Sequence, residues 1–481
     1  MKGITVSDNR IQKVHFIGIG GVGMSGIAHV AHDQGMRVSG SDLRESGYTR
    51  QLREAGIDIY IGQKAENISD DSPDVVVVST AIRDDNPELQ EAKRRNIPIW
   101  HRAKMLAELG RDRVTLAVAG THGKTTSSSM LASIIDSMGY DPTFLIGGIV
   151  RSYGSNAHSG KGEYYVVEAD ESDKSFTYLD PAAVLVTNVE ADHLDHYSDL
   201  DEIYSLFYDF MASVPEDGCC VVCGEDEPLV DVARKTGRRV YTYGFGDAYD
   251  TVISNYQTKG VSTSFDVTLP SGDVLPCRIK QNPGRHNALN AAGVLTLLWT
   301  RGFDCQKAAE ALAEFAGVKR RFDLVGEEMG ITIVDDYAHH PTEIEATIVA
   351  AKALDFKRVH VLFQPHRYSR VKLFTDVLHD EFGRAFDQAD QVTFMDVFPA
   401  GETPIPGVSG ATFMQVVLDH EGHPENVTYI PRRMEVVSYL VDQLQEGDLL
   451  ITMGAGDVTA IGPVILSDLR DIAKRKAKGM N

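Results

Sequence analysis

The feature that most constrains this chain is a glycine-rich segment that ends a short apolar run, residues 114–126 with the sequence VTLAVAGTHGKTT. Residues 114–119 are apolar and rich in β-branched side chains, like a buried strand, and the residues after Thr126 carry apolar side chains at helical spacing. In such a strand–loop–helix unit the loop N–H groups face an anion, Lys124 adds a positive charge, and the hydroxyl of Thr125 or Thr126 suits Mg²⁺. The segment therefore predicts a phosphate-binding loop.

The spacing of this loop differs from that of a standard P-loop, in which a glycine precedes the second glycine by five residues. Val118 occupies that position here. The alternative interpretation is an ordinary glycine turn with a solvated lysine. The order of strand, glycine, lysine, hydroxyl and helix favours the phosphate-binding loop.

Length and composition predict a large protein of several domains. The chain has 481 residues, which suggests about three domains, and its 43% hydrophobic and 24% charged residues suffice for packed cores. No apolar run reaches the roughly 18 residues of a membrane span. A formal charge of −22 argues against broad binding to nucleic acid or anionic membranes. The five cysteines, with Cys220 and Cys223 in an apolar run, predict buried thiols in a reducing compartment, so we expect a cytoplasmic protein.

A second glycine motif lies near the start of the chain, where an apolar run at residues 14–17 precedes GIGGVG at residues 18–23. Asp42 ends the next predicted strand, at the position where a Rossmann fold holds a ribose. Taken alone, the motif predicts NAD binding, and the alternatives are a capping role for Asp42 and a packing role for the glycines. Apolar runs at 75–79 and 97–100 continue an open α/β sheet.

Acidic residues follow two predicted strands beyond the phosphate-binding loop. One apolar strand ends in Glu168, and another, at residues 183–188, leads to His193. Hard carboxylates at strand ends beside a P-loop suit Mg²⁺, and a nearby histidine suits a second metal or a substrate. The alternatives are a solvated acid for Glu168 and a capping or packing role for His193. Asp170, Glu171 and Asp173 follow the first of these strands, and so many acids cannot all be metal ligands.

The last third of the chain again alternates predicted strands with predicted helices. The strands lie at 331–335, 359–363, 392–395 and 449–452, and two helical patterns lie at 343–354 and 434–445. This alternation predicts a doubly wound sheet. The predicted domains are residues 1–111, 112–317 and 318–481.

Five motifs, in this order, resemble those of the Mur ligases of peptidoglycan synthesis, and the resemblance covers nearly the whole chain. They are GTHGKTT at 120–126, EADESD at 168–173, TNVEADHLD at 187–195, GRHNALN at 284–290 and DDYAHHP at 335–341. The P-loop of that family has the same shortened spacing. Within the family, HFIGIGGVGMSG at 15–26 and QPHRYSR at 364–370 resemble the members that join L-alanine to UDP-N-acetylmuramate.

The resemblance implies an α/β protein of three domains. These are an N-terminal Rossmann-like domain for the UDP-sugar, a central P-loop ATPase-type domain, and a C-terminal Rossmann-like domain that contributes to ATP and amino-acid binding. The implied reaction begins when ATP phosphorylates the muramate carboxylate. The amine of L-alanine then attacks the acyl phosphate, and phosphate leaves. Mg²⁺ is the implied cofactor, and no carbamylated lysine is expected.

The resemblance also implies roles for individual residues. The implied catalytic residues are Lys124, Glu168 and His193, and the implied metal ligands are Thr125, Glu168 and His193. The implied ATP contacts are Gly120, Thr121, His122, Gly123, Lys124, Thr125, Thr126, His286, Asn287, Asn290, Arg321 and Asp336. The UDP-sugar is assigned to Gly18, Gly20, Gly21, Gly23, Asp42 and Ser79. The amino acid is assigned to Tyr337, His339, His366, Arg367 and Arg370.

The assignment of residues 364–370 to the amino acid also has a physical basis. The segment follows an apolar strand, and open α/β sheets place ligand-binding loops at the carboxyl ends of their strands. The planar fork of an arginine can donate two parallel hydrogen bonds to a carboxylate, which a lysine cannot reproduce. The alternative is a surface loop whose arginines pair with the acids of this acidic protein.

Three other functions compete with this interpretation. A murein peptide ligase joins a recycled peptide to the same UDP-sugar and has similar motifs. A dinucleotide-dependent oxidoreductase would explain residues 14–42 but not the P-loop, and a nucleotide-switch binding protein would explain the P-loop alone. We expect UDP-N-acetylmuramate, L-alanine and ATP as partners of a monomer or weak homodimer, without nucleic-acid or membrane partners.

Overall fold

The computed structural model describes residues 10–68, 71–171, 175–190 and 199–477. The chain packs into two compact units. The first unit comprises Met1–Val252, Thr268–Leu275 and Asn290–Ala311. The second unit comprises Ile253–Val267, Pro276–Leu289 and Leu312–Asn481.

The first unit begins with a five-stranded parallel sheet and four helices. The strands are β1 (Lys13–Ile17), β2 (Arg37–Asp42), β3 (Asp58–Ile61), β4 (Val75–Val78) and β5 (Ile99–His101). The helices are α1 (Val22–Asp33), α2 (Gly47–Glu54), α3 (Pro87–Arg94) and α4 (Arg102–Leu109). The strand order is β3-β2-β1-β4-β5. Because the order reverses at β1, the loop that follows β1 lies where open α/β sheets bind ligands.

A second sheet of the first unit carries the P-loop. Its strands are β6 (Val114–Ala119), β7 (Thr143–Val150), β8 (Ser155–His158), β9 (Tyr164–Glu168), β10 (Ala183–Val186), β11 (Cys219–Cys223) and β12 (Val240–Phe245). The helices are α5 (Lys124–Ser137), α6 (Leu200–Ala212) and α7 (Glu227–Lys235). The seven strands lie in the order β12-β11-β10-β6-β9-β7-β8, in which β7 and β8 are antiparallel. The P-loop strand β6 therefore lies between β10 and β9, both parallel to it.

One hydrophobic core joins the two sheets of the first unit. It includes Phe16 of β1, Ile27 of α1, Leu145 of β7 and Tyr165 of β9, all buried. A Cβ on Gly26 of α1 would lie 3.2 Å from Cβ of Ala157 in β8, so the absence of a side chain lets α1 approach the second sheet. The hydroxyl of Tyr165 also donates to the carbonyl of Leu106 at 3.0 Å. The two glycine loops therefore belong to one packed body.

The second unit contains most of three neighbouring strands and a further sheet. The three strands are β13 (Thr251–Lys259), β14 (Ser262–Thr268) and β15 (Val274–Ile279), and the helices α8 (Arg285–Thr300) and α9 (Cys305–Leu312) follow them in the chain. The further sheet contains β16 (Asp323–Glu328), β17 (Ile331–Asp336), β18 (Arg358–Phe363), β19 (Gln391–Phe394), β20 (Asn426–Tyr429) and β21 (Asp448–Met453). Its helices are α10 (Pro341–Lys352), α11 (Tyr368–Val377), α12 (His379–Arg384), α13 (Gly410–Leu418), α14 (Arg433–Gln443) and α15 (Ile461–Ala477).

The six-stranded sheet of the second unit has the order β16-β17-β21-β18-β19-β20. All of its pairings are parallel except that of β16 with β17. Separate hydrophobic clusters contain Phe363 and Leu362, which point to opposite faces of β18. This sheet is the doubly wound arrangement that the alternating sequence pattern predicts.

The predicted helices begin one to three residues earlier in the structure than the apolar periodicity suggests. Helix α5 begins at Lys124 because its first turn is polar and follows the phosphate-binding loop directly. Helix α10 begins at Pro341, whose fixed φ suits the first helical position. Element types were therefore easier to predict than element ends.

The predictions for the thiols and the fold class hold for the described residues. All five cysteines are free, and four of them are buried. Burial raises the pKa of Cys223 to about 11, so it is a neutral packing group. Among the described helices, none is both long and apolar enough to cross a membrane. The predicted domain ends at 111 and 317 stay predictions.

Candidate active site

The P-loop connects β6 to α5 and needs glycine at two positions. Gly120 has a φ of +129°, and a Cβ there would lie 2.1 Å from Oγ1 of Thr187. Gly123 has a φ of +83°, and a Cβ there would lie 2.6 Å from Oδ1 of Asn290. Both positions combine a left-handed backbone with a close neighbour, which other residues do not tolerate. Val118 is fully buried in β6, so the shortened spacing reflects a strand that continues to Ala119.

Lys124 is the first residue of α5, and its side chain is 12% exposed. Nζ donates to both carboxylate oxygens of Glu171, at 2.8 and 2.9 Å, and to the carbonyls of Gly120 and Thr121. Burial by itself lowers the pKa of Lys124, but the charges of Glu171 and Asp170 outweigh this effect and raise it. Lys124 therefore carries its positive charge at neutral pH inside the P-loop.

Two of the three predicted metal ligands lie together beside Lys124. Oγ1 of Thr125 donates to Oε1 of Glu168 at 3.0 Å, and Oε2 of Glu168 accepts from the Gly147 amide at 2.7 Å. Burial raises the pKa of Glu168, while the Gly147 amide and the charge of Lys124 act against the rise. A hydroxyl and a carboxylate in contact form a hard oxygen donor set, which suits Mg²⁺. The third predicted ligand, His193, lies outside the described residues, as do Asp173, Asp192 and Asp195.

Asn188 fastens the P-loop to the end of β10. Its Oδ1 accepts from the His122 amide at 2.9 Å, and its backbone carbonyl accepts from the Thr121 amide at 2.9 Å. Thr126, a predicted ATP contact in the first turn of α5, is buried.

The sequence interpretation included Asn188 in a motif but gave it no role. The signal that points to it is an amide side chain directly after the strand that neighbours the P-loop strand.

The first glycine loop follows β1 and leads into α1, as the GIGGVG motif predicts. Asp42 ends β2 and accepts a hydrogen bond from the Gly20 amide at 2.9 Å. A Cβ on Gly20 would lie 2.9 Å from Oδ2 of Asp42, so the carboxylate sits tightly against the loop. This contact shapes the loop, and the predicted role of Asp42 toward the UDP-sugar stays a prediction. The other predicted UDP-sugar residues lie at the same edge of the sheet, namely Gly18, Gly21, Gly23 and Ser79.

In the second unit, Asp336 ends β17 with both carboxylate oxygens engaged. They accept from the amides of Phe322 and Ala338 at 2.7 and 2.8 Å. Burial raises the pKa of Asp336 to about 6, and the charge of Arg321 opposes this rise. Arg321 also pairs with Glu343 at 3.3 Å.

The predicted ATP contacts His286, Asn287 and Asn290 all lie in the first two turns of α8. Nδ2 of Asn287 lies 3.0 Å from Nε2 of His286 and donates to the carbonyl of Asn282 at 3.1 Å. Burial lowers the pKa of His286 to about 4. His286 is therefore a neutral imidazole at physiological pH.

The loop between β18 and α11 brings the predicted amino-acid contacts together. His366 stacks on Phe398 with ring centroids 5.6 Å apart, and the Arg367 amide donates to the carbonyl of Phe398 at 2.8 Å. Burial lowers the pKa of His366 to about 4, and the charges of His339, Arg370 and Arg367 act in the same direction. These residues form one electropositive cluster, in which Glu402 is the opposing charge, and its arginines suit a carboxylate.

Arg320 lies beside Tyr337, and the sequence interpretation missed it. Its guanidinium lies over the ring of Tyr337 at 4.9 Å, and Nε donates to Asp335 at 3.1 Å. Nη2 also donates to the carbonyls of Gly454 and Gly456. Arg320 therefore fixes Tyr337, a predicted amino-acid contact whose ring also lies 5.5 Å from that of His339. Only its place beside Arg321 in the sequence could have indicated it.

Comparison with family models matches three consecutive segments of the chain. Residues 13–113 match the Mur ligase family, catalytic domain; residues 118–298 match the Mur ligase middle domain; and residues 320–456 match the Mur ligase, glutamate ligase domain. The first segment contains the GIGGVG loop, the second contains the P-loop, and the third contains the loop with Arg367 and Arg370.

Whole-length relatives agree with these matches. The chain is 45% identical to a UDP-N-acetylmuramate--L-alanine ligase of Thermobifida fusca, over 96% of this chain and 98% of the relative. It is 46% identical to one of Syntrophotalea carbinolica, over 95% and 98%. Among solved structures, a UDP-N-acetylmuramate-alanine ligase from Thermotoga maritima has a TM-score of 0.79 and 29% identity, covering 95% of this chain and 99% of that one. A murein peptide ligase from Psychrobacter arcticus has a TM-score of 0.68 and 24% identity, covering 95% and 98%.

The sequence motifs, the P-loop with its buried lysine and the three matched segments agree along the length of the chain. The three-domain α/β fold expected from the sequence is the fold of these relatives. The chain belongs to the Mur ligase family.

Proposed function

We propose that this chain joins L-alanine to the carboxylate of UDP-N-acetylmuramate in peptidoglycan synthesis, with conversion of ATP to ADP and phosphate. The observation that carries the proposal is the largely buried Lys124 in a P-loop, in contact with the Glu171 carboxylate and beside the Thr125–Glu168 oxygen pair. This arrangement suits phosphoryl transfer rather than hydride transfer. The choice of L-alanine and of the muramate sugar is supported by the names of relatives at about 45% identity.

The reaction proceeds in two steps. The muramate carboxylate attacks the γ-phosphorus of ATP, which forms a C–O–P linkage and releases ADP. The neutral amine of L-alanine then attacks the carbonyl of the acyl phosphate, and the tetrahedral intermediate expels phosphate and loses a proton from nitrogen. No covalent bond to the protein is required.

The protein contributes charge neutralisation and alignment. Lys124 stabilises the transferring phosphoryl group, whose charge repels the attacking carboxylate. The ammonium group of Lys124 donates hydrogen bonds to the Glu171 carboxylate. We propose that the phosphates of ATP replace this carboxylate as the partner of Lys124. The Gly120 and Gly123 backbone lets the phosphates come close to the loop N–H groups.

Mg²⁺ belongs to this proposal as the cofactor. Thr125 and Glu168 are the described residues that would hold it, since their oxygens lie 3.0 Å apart beside Lys124. When bound, the ion would neutralise phosphate oxygens and so lower the repulsion between the reacting anions. His193 is proposed for the same role on the motif alone.

The electropositive cluster of the second unit is proposed to hold the carboxylate of L-alanine. Arg370 and Arg367 supply charge, and the neutral His366 stacks on Phe398. The proposed ATP contacts of this unit are Arg321, Asp336, His286 and Asn287. We also propose that the protein is a monomer or a weak homodimer and that it acts in the cytoplasm.

The proposed activity is tested by phosphate release from ATP with UDP-N-acetylmuramate and each of several amino acids or peptides. We expect release that depends on both the UDP-sugar and L-alanine, with a product heavier than the UDP-sugar by one alanyl residue. Release that depends on a peptide instead of L-alanine would favour the murein peptide ligase activity.

Ligand binding at the first glycine loop offers a second test of the proposed function, because the GIGGVG motif taken alone predicts NAD binding. We expect UDP-N-acetylmuramate to bind at micromolar concentration in calorimetric titration, and NAD and NADP not to bind. The opposite result would favour an oxidoreductase and contradict the proposed function.

A further inference from the structure

A second cation, Arg102, lies between the first glycine loop and the acidic end of β9. Arg102 is the first residue of α4 and follows β5 directly, so it lies at the carboxyl edge of the first sheet. Nη1 is 3.5 Å from the point that a Cβ on Gly23 would occupy, and Nη2 is 3.8 Å from Oδ2 of Asp170. Its side chain is 23% exposed. The guanidinium therefore lies against the N-terminus of α1 while it faces a carboxylate of the second sheet.

Asp170 and Glu171 are consecutive and form ion pairs with different cations, although the charge of Asp170 also acts on Lys124. Glu171 pairs with Lys124 of the P-loop at 2.8 Å, and Asp170 lies 3.8 Å from Arg102 of the first sheet. The separation in the Asp170–Arg102 pair is longer than that of a hydrogen bond, and Asp170 is 39% exposed. A long, partly exposed ion pair is weak, so a better anion can replace it at low cost.

The position of Arg102 follows from the packing of the first unit. Helix α1 contacts the second sheet through Gly26, and Nδ2 of Asn156 in β8 donates to the Val22 carbonyl at 3.3 Å. These contacts fix the N-terminus of α1 relative to the end of β9. Arg102 therefore lies close to both the glycine loop and Asp170, so its side chain can contact either one while the backbone stays in place.

We propose that Arg102 binds the diphosphate of the UDP-sugar and that Asp170 holds the Arg102 guanidinium until the diphosphate replaces it. The proposal extends the proposed function, since it takes a UDP-sugar as the ligand of the first glycine loop. The loop and the first turn of α1 offer backbone N–H groups, and the arginine fork adds paired donors for phosphate oxygens. Residues 18–23 contain no charged side chain, so any cation that contacts the diphosphate here comes from elsewhere. Asp170 is a positioning residue in this proposal.

The test is calorimetric titration of the full chain with UDP and with UDP-N-acetylmuramate, without ATP. Arg102→Gln is expected to weaken the binding of both ligands by a similar factor of at least about 10, because both contain the diphosphate and the variant loses the charge-assisted hydrogen bonds to it. Asp170→Asn is expected to tighten both by about 3-fold, because it removes the competing anion. In the Arg102→Gln background, Asp170→Asn is expected to have no further effect.

The opposite signs of the two variants separate this role from a structural one, since damage to the fold would weaken binding in both. Arg111→Gln is the matched control, because Arg111 lies just beyond the other end of α4, is 54% exposed and pairs with Glu108. It is expected to bind UDP as the unchanged chain does. Unchanged UDP binding by Arg102→Gln, or weaker binding by Asp170→Asn, would overturn the proposal. Loss confined to UDP-N-acetylmuramate would assign Arg102 to the muramate carboxylate and also overturn it.

The titration does not depend on ligation. If alanine-dependent phosphate release is absent but the two variants shift UDP affinity in opposite directions, the proposed function is wrong and the role of Arg102 stands. If ligation is found and Arg102→Gln binds UDP as tightly as the unchanged chain does, the proposed function stands and the proposed role of Arg102 is wrong.

Discussion

The two glycine loops of the first unit share a backbone design but differ in the side chains that surround them. Each follows a buried parallel strand and leads into a helix, from β1 to α1 in one case and from β6 to α5 in the other. The second loop contains the buried Lys124, which faces Glu171, with Glu168 and Thr125 beside it. The first loop has only uncharged residues of its own, and Asp42 shapes it through the Gly20 amide.

This difference shows what each part of such a loop contributes. The backbone of both loops offers N–H groups to an anion, which is a property of strand–glycine–helix units in general. The side chains around the loop decide whether the anion is only bound or is also transferred. Transfer requires positive charge at the position where negative charge develops on the phosphoryl group in the transition state. A dinucleotide motif such as GIGGVG therefore identifies an anion site and leaves its ligand open.

The largest effect that separates the two loops is expected from Lys124→Ala. Ligation should fall by at least about 100-fold, because the principal charge that faces the transferring phosphoryl group is removed. UDP-N-acetylmuramate should bind nearly as well as before, because its proposed site is the other loop. Phosphate release and calorimetric titration measure the two properties. Lys161→Ala, which removes an exposed lysine, is the control, and near-normal turnover of a folded Lys124→Ala chain would contradict the P-loop assignment.

The converse variant, Gly20→Ala, should damage the first loop alone. Its Cβ would lie 2.8 Å from a methyl carbon of Thr49 and 2.9 Å from Oδ2 of Asp42, so the loop must shift. We expect affinity for UDP-N-acetylmuramate to fall by about 10-fold, in line with the cost of overpacking, and affinity for an ATP analogue to be unchanged. Gly35→Ala is a control of the same residue type, since no atom lies within 4 Å of its Cβ, although its positive φ adds local strain. Equal loss of both ligands would mean that the loops are not independent.

A third variant extends the comparison to the electropositive cluster of the second unit. Arg370→Lys should raise the KM for L-alanine by about 5- to 10-fold and affect that for ATP much less, because lysine keeps the charge but loses the planar fork. The acyl phosphate should still form. Arg432→Lys, on a side chain that is 79% exposed, is the control for the arginine-to-lysine change. An unchanged KM for L-alanine with a selective ATP defect would move this loop to the nucleotide site.

The smallest effect concerns the pH dependence of stability. The pKa of His366 is lowered from 6.5 to about 4 by burial, so the unfolded chain binds more protons than the folded chain between these values. Its contribution to stability is present above pH 6.5 and is lost as the pH falls toward 4. In His366→Gln, the drop in thermal midpoint between pH 7 and pH 5 should be smaller by about 1–2 °C. The exposed His379→Gln should leave the drop unchanged, and a larger drop in His366→Gln would contradict the assignment.

The P-loop illustrates how far the sequence reached. Strand, glycines, lysine and helix followed from residue order alone, because each depends on local propensity and on the geometry of one loop. The partner of Lys124 did not follow, since Asp170 and Glu171 are equivalent in the sequence and only packing assigns one to each cation. Asp42 is a similar case, because its place at a strand end does not specify its contact with the Gly20 amide, and its ribose role stays a prediction.

The sequence by itself determined the α/β class, the two glycine loops, the family and the set of residue types from which a site can be built. These properties are encoded in short segments, where periodicity and motif spacing act over a few residues. Only the tertiary structure decided which distant side chains meet: Asn188 with the P-loop, Arg320 with Tyr337, and Arg102 with Asp170. The physical reason is that such contacts depend on the packing of whole strands and helices, to which every buried residue of the core contributes and which no local pattern specifies.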